Sequence, residues 1–427
     1  MLIGLVVVFV MAYVAIALEH PLRVDKSASA LIGAGVLWTI YAVFAGDPQR
    51  VAEQLNGSLV GAAQIVFFLM GAMTIVELID AHDGFGVVTT RIRTSTLARL
   101  MWWVGGISFV LSAILDNLTT AIVMVSLMRK LLARQGDRLV FAGVIVIAAN
   151  AGGAWSPMGD VTTTMLWIGG QISALAVVQA VLLPALVCML VPVSILAWGM
   201  RGRKLNWAVS SEGEVGPQVD AWERNLIFIL GVGVLLAVPA FKMLTHLPPF
   251  MGILFGLGLL WLAGDLLHRN KDVVSRQPLS LTHALARIDM SSLVFFTGIL
   301  LSVATLEHTH VLSDLAAWLD HAVGRQDVIV MLIGLVSAVV DNVPLVAAAM
   351  GMYSLAQYPT DHFLWEFLAY CAGTGGSILI IGSAAGVAAM GIEKINFLWY
   401  VKKIGWVALL GYLAGAAAHL VQYRLLH

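Results

Sequence analysis

Two aspartate–asparagine pairs, Asp116-Asn117 and Asp341-Asn342, stand in long apolar stretches half a chain apart. The first lies in Ser112-Ala113-Ile114-Leu115-Asp116-Asn117-Leu118. The second lies in Ser337-Ala338-Val339-Val340-Asp341-Asn342-Val343, at a shift of 225 residues (337 − 112). A carboxylate at membrane depth costs roughly 3 kcal/mol to insert and is seldom idle there. Two at matched positions of a duplicated chain point to an ion or proton pathway at a repeat interface.

A third acid, Asp160, ends the run Asn150-Ala151-Gly152-Gly153-Ala154-Trp155-Ser156-Pro157-Met158-Gly159-Asp160, which continues into Val161-Thr162-Thr163. Paired glycines and a proline should break a helix here and free backbone carbonyls. A bound cation and the hydroxyls of Ser156, Thr162 and Thr163 can satisfy them. The later segment Gly373-Thr374-Gly375-Gly376-Ser377 through Gly382-Ser383 is its counterpart, with Ser383 where the first carries Asp160. Taken alone, Asp160 is as well explained as a helix-packing partner.

The elements that must position these residues are membrane helices. The chain has 427 residues, 60% hydrophobic and 11% charged, with a mean hydropathy of +0.91. Soluble domains carry about 25% charged residues, so a polytopic all-α membrane protein is expected. A net charge of −1 gives no reason to expect a nucleic-acid partner. Cys188 and Cys371 sit in apolar segments without metal spacing and read as buried thiols. Residues 1–18 lack a basic leader and read as a first span.

Apolar stretches run over 2–18, 28–45, 58–79, 140–168, 174–200, 225–242, 250–267, 290–306, 363–392 and 404–423. Basic residues such as Arg23, Lys26, Arg99, Arg201, Arg203, Arg287 and Lys402 gather in alternate loops, which places the N-terminus outside. Residues 100–133 have basic residues on both flanks and arms of only roughly 16–20 Å, so they read as a re-entrant hairpin with Asp116-Asn117 at its tip. Residues 326–358 form the second hairpin, with acidic flanks. The expected architecture is an inverted repeat of about five transmembrane helices plus one re-entrant hairpin per half, with broken helices at the midplane (140–168 and 363–392). The repeats are 1–200 and 225–427, joined by a cytoplasmic linker, 201–224.

No Lys or Arg lies between Arg138 and Arg201, nor from Gln326 to Ile392. Asp116, Asp160 and Asp341 are therefore expected to converge with no basic residue to answer them, which selects a cation. Carboxylate, amide, hydroxyl and carbonyl oxygens suit a hard monovalent ion. Asp116, Asn117, Asn150, Asp160, Asp341 and Asn342 are the expected Na⁺ ligands, with Thr162, Thr163, Thr374 and Ser377 as further neutral oxygens. Glu77, Asp80 and Glu307 lie near span ends, where solvated carboxylates are the default.

The run Gly152 to Thr163, the Asp-Asn tips and the segment Ala17-Leu18-Glu19-His20 through Lys26-Ser27-Ala28 resemble the NhaD-type sodium/proton antiporters of the ion transporter superfamily. That resemblance implies a scaffold domain and a transport domain moving as an elevator in a homodimer. It also implies exchange of Na⁺ and Li⁺ for H⁺ without a cofactor, in a bacterial-type inner (plasma) membrane. The site it implies comprises Asp116, Asn117, Asn150, Asp160, Thr162, Thr163, Asp341, Asn342 and Ser377. Relatives sharing the Gly-Gly breaks carry arsenite or dicarboxylates, so an anion carrier is one alternative. An intramembrane aspartyl protease is another, although it needs two acids on facing continuous helices.

Overall fold

A computed structural model describes residues 1–17, 22–84, 94, 96–204, 219–269, 271–339 and 341–426. Leu18-Glu19-His20, the flanking Arg91 and Arg93, Val340 and most of the linker (205–218) fall outside them. The chain opens with α1 (Leu2–Ala17), α2 (Lys26–Phe44) and α3 (Pro48–Ala81), followed by two shorter helices, α4 (Leu97–Ser112) and α5 (Asn117–Leu131). α6 (Gln135–Ala154) and α7 (Val161–Ile168) flank the first break, and α8 (Ala174–Gly199) follows.

Beyond the linker come α9 (Ala221–Thr245), α10 (Pro249–Leu267), the short α11 (Leu281–Arg287), α12 (Met290–His308) and α13 (Val311–Val323). α14 (Gln326–Val336) and α15 (Asn342–Met352) form the second short pair, and α16 (Phe363–Gly375) and α17 (Ala384–Glu393) flank the second break. α18 (Trp406–Leu426) continues from a π turn, Val401–Gly405. Among the described residues, 8 helices are long and apolar enough to cross a bilayer.

The expected segments are present, with shifted ends. The span expected from 58 begins at Pro48, because Asp47 caps the helix through Arg50 N at 3.1 Å and Pro48 occupies its first turn. The arms of the first short pair have 16 and 15 residues, about 24 and 22 Å, longer than expected yet short of the ~30 Å core. The segment after α12, read only as an acidic flank, holds the amphipathic α13. The expected linker 268–289 folds into short helical turns at Val273–Arg276, Gln277–Leu279 and α11. Glu77, read as a solvated carboxylate, pairs with Arg287 at 2.9 Å.

Two groups of helices carry the packing. α1, α2 and α12 pack together, α3 lies against α9, α10 and α12, and α12 also meets α15. In the other group, α6 packs on α4, α5, α8, α16 and α17, and α16 on α7, α8, α14, α15 and α18. α6 buries every residue from Phe141 to Ala154, and α16 every residue from Phe367 to Gly375. A helix apolar on all sides belongs in the middle of such a bundle, and both interrupted helices sit there.

The glycines explain how they fit. Gly152-Gly153 does not break α6, which runs on to Ala154; the interruption falls at Pro157, whose ring removes a donor and restricts Ser156. The glycines allow contact. A Cβ at Gly152 would come within 2.2 Å of the Phe109 carbonyl oxygen, and one at Gly375 within 1.9 Å of that of Gly334. Gly153 meets Gly159, and Gly376 meets Gly382, in the same way. In a bilayer, where apolar side chains gain little by leaving lipid, small residues and close backbones hold helices together.

Gly375→Ala is therefore expected to destabilise the protein by about 1–3 kcal/mol or more, seen as a lower unfolding midpoint in detergent. Gly258→Ala, whose added Cβ meets nothing within 4 Å, should stay within about 0.5 kcal/mol of the parent or gain slightly from helix propensity.

Candidate functional site

The three aspartates singled out by sequence share one local role: each caps the N-terminus of a short helix. Asp116 caps α5, its Oδ1 accepting from Thr119 N at 2.7 Å and its Oδ2 from the Thr119 hydroxyl at 3.0 Å. Asp160 caps α7 through Thr162 N at 3.2 Å, and Asp341 caps α15 through Val343 N at 3.4 Å. Ser383, the counterpart of Asp160, caps α17 through Gly386 N at 3.2 Å. A carboxylate at a helix N-terminus is held by orphan N–H groups and by about half a positive charge of helix dipole. Here the caps and the candidate ligands are the same atoms.

Asn150, fully buried in α6, ties the network together. Its Oδ1 accepts from Asn117 Nδ2 at 3.1 Å. Its Nδ2 donates to Ser377 Oγ at 3.0 Å and Ser383 Oγ at 2.8 Å. In the opposite sense, Asn342 Nδ2 donates to Asp160 Oδ2 at 3.3 Å. First-half Asn150 thus reaches second-half serines, while second-half Asn342 reaches a first-half acid. Asp116 and Asp341 both lie near enough to Asp160 for their charges to be felt there.

Backbone groups at the breaks find partners in hydroxyls. Ser112 donates to Ala149 O at 2.6 Å, and Ser337 to Ala372 O at 3.4 Å, the corresponding carbonyl. Ser156 donates to Ala113 O at 2.6 Å, Thr163 to Ala154 O at 3.2 Å and Thr164 to Pro157 O at 2.8 Å. Thr374 bonds back to Tyr370 O at 2.7 Å within its helix. The protons of Thr163 and Thr374 thus serve the backbone. Thr162 differs: no backbone carbonyl among the described residues takes its hydroxyl, which lies buried beside Asp160 and can support that carboxylate.

The charge balance corrects the sequence-based expectation. The Lys26 ammonium lies 3.0 Å from Oδ2 of Asp341, so one of the three acids is answered by a lysine from α2. A census along the chain could not find it, because 315 residues separate the partners. Asp160 is 2% exposed, and neither it nor Asp116 has an ion-pair partner among the described residues. No three His, Cys, Asp or Glu side chains come within one ion's reach among those residues, so the acids do not form one ligand shell.

The two Asp-Asn pairs differ in backbone as well. Asp116 holds φ +147°, a conformation that costs a non-glycine residue about 1–3 kcal/mol, whereas Asp341 has φ −48°. Sequence reasoning did not place Ser383, Thr164 or Lys26 in the site. Lys26 had a signal, since it lies within the N-terminal segment that carries the family resemblance.

Capped short helices meeting in a buried polar knot, within a bundle of membrane-length helices, define a multi-pass membrane transporter. The family described as CitMHS, citrate transporter, matches residues 7–373. Sodium/proton antiporter 1 of Arabidopsis thaliana is 46% identical over 99% of this chain and 73% of its own length. Sodium/proton antiporter 2 of the same plant is 44% identical, over 97% and 98%. Na(+)/H(+) antiporter NhaD of Alkalimonas amylolytica is 32% identical, over 97% and 89%. The chain belongs to this transporter family and, within it, to the NhaD-type antiporters.

Asn150→Leu should leave Asn117, Ser377 and Ser383 each short of a buried partner. At about 1–3 kcal/mol for each unsatisfied group, the unfolding midpoint in detergent should fall well below that of Gly258→Ala.

Proposed function

We propose that this protein exchanges Na⁺, and also Li⁺, for H⁺ across its membrane. The observation that carries the proposal is Asp160: a carboxylate at the centre of the bundle that, among the described residues, is held only by neutral donors and flanked by the Thr162 hydroxyl. A buried carboxylate without a basic partner must hold a proton or a cation. Competition between the two at one group couples their opposite movements. The names of the relatives at 32–46% identity support this choice of ions.

In this mechanism Asp160 and Asp116 are the main exchange groups, and Thr162, Asn117, Asn150, Asn342 and Ser377 supply neutral oxygens. The 10 helices of the site-bearing group, α4–α8 and α14–α18, move as a transport domain against the rest, which dimerises. The two short pairs act as re-entrant hairpins inserted from opposite faces. Support for an inverted repeat comes from the recurrence of matched contacts: Gly152 on Phe109 with Gly375 on Gly334, and Ser112 on Ala149 with Ser337 on Ala372.

An anion such as citrate is the second reading, favoured by the family description and by the four helix N-termini facing the knot. Against it, side chains already cap each N-terminus, and Lys26 is engaged by Asp341.

Proteoliposomes carrying a pH-sensitive dye separate the two. Added Na⁺ or Li⁺ should drive proton efflux, and labelled citrate should not accumulate. Asp160→Asn should weaken cation binding by about 3 kcal/mol, roughly a hundredfold. Full exchange by Asp160→Asn, or citrate uptake without proton exchange, overturns the proposal.

A further inference from the structure

Lys26 stands in the first turn of α2, and its ammonium faces more than Asp341. It lies 4.5 Å from the centre of the Phe295 ring on α12, in cation–π geometry. A carboxylate and an aromatic face hold a monovalent cation here, and that cation belongs to the protein. The Lys26 and Asp341 side chains are only partly buried, at 26% and 17% exposure. Neither Asp116 nor Asp160 is held in this way.

We propose that Lys26 is a tethered competitor for the transported cation at Asp341. Its ammonium fills the second-half carboxylate until a cation displaces it, and so sets the concentration at which that tip takes an ion. The inference rests on the antiport reading above and adds a residue that tunes it. Attachment to α2 gives the ammonium a local concentration that a free ion must exceed. The pair also ties the α1–α2–α12 group to the start of α15, so displacement releases that tip from its neighbour.

The full chain in proteoliposomes tests this through the Na⁺ dependence of proton flux in wild type, Lys26→Gln, Lys26→Arg, Asp341→Asn and the Lys26→Gln/Asp341→Asn double variant. Lys26→Gln should lower KM for Na⁺ by about fivefold or more, the low end of coupling between sites, and Lys26→Arg should restore the wild-type value. In the Asp341→Asn background, Lys26→Gln should leave KM unchanged. Should Asp341→Asn abolish flux, the Na⁺ dependence of the purified protein's unfolding midpoint gives the same affinities.

An unchanged or raised KM in Lys26→Gln overturns the inference, as does an equal shift in the Asp341→Asn background. Equal losses of flux and stability in Lys26→Gln and Lys26→Arg overturn it too, by showing that the pair only packs. Failure of the wild type itself to couple Na⁺ to protons is a distinct result: it removes the antiport reading, and this inference with it.

Discussion

At membrane depth, every backbone group freed by an interrupted helix must find a partner inside the protein, because lipid offers none. This chain interrupts its helices at four places near one point, after α4, α6, α14 and α16. It meets the requirement with side chains: Asp116, Asp160, Asp341 and Ser383 take the N–H groups of the restarting helices. Ser112, Ser156, Thr163, Thr164 and Ser337 take the carbonyls. The polar knot thus serves the fold first.

The caps also shape the electrostatics. Each helix N-terminus brings about half a positive charge, which stabilises a carboxylate where an isolated one would be costly. Three acids and one lysine can therefore coexist with four N-termini in a small volume without a large net field. In the mechanism proposed above, such a balanced site takes a small cation in exchange for a charge already present. Strong net negative charge would instead trap the ion, and transport requires release.

The asymmetry between the halves has the same origin. Asn150 in α6 has no amide counterpart, because Gly373 stands there; a Cβ at Gly373 would lie 2.8 Å from Ala154 Cβ and 3.5 Å from Asp160 Oδ2. The second half gives up a side chain so that the first can keep its acid at the centre. Asp116 is strained and has no basic partner among the described residues, while Asp341 is relaxed and joined to Lys26. Two copies of one motif have taken different duties.

Much of this was legible along the chain. Hydropathy gave the membrane helices, because spanning a bilayer requires about 20 apolar residues in a row. The repeated Asp-Asn pairs marked the starts of two short helices, since charge at that depth must be explained locally. The break at Pro157 followed from a ring that lacks an N–H. What the order of residues could not supply was the partner of each polar group. That Asn150 would meet Ser377 and Ser383, that Asn342 would reach Asp160, and that Lys26 would cross 315 positions to Asp341 depend on how two groups of helices pack. Local spacing fixes which residues can cap or break a helix; only close packing in three dimensions decides which charges and polar groups are answered, and by what.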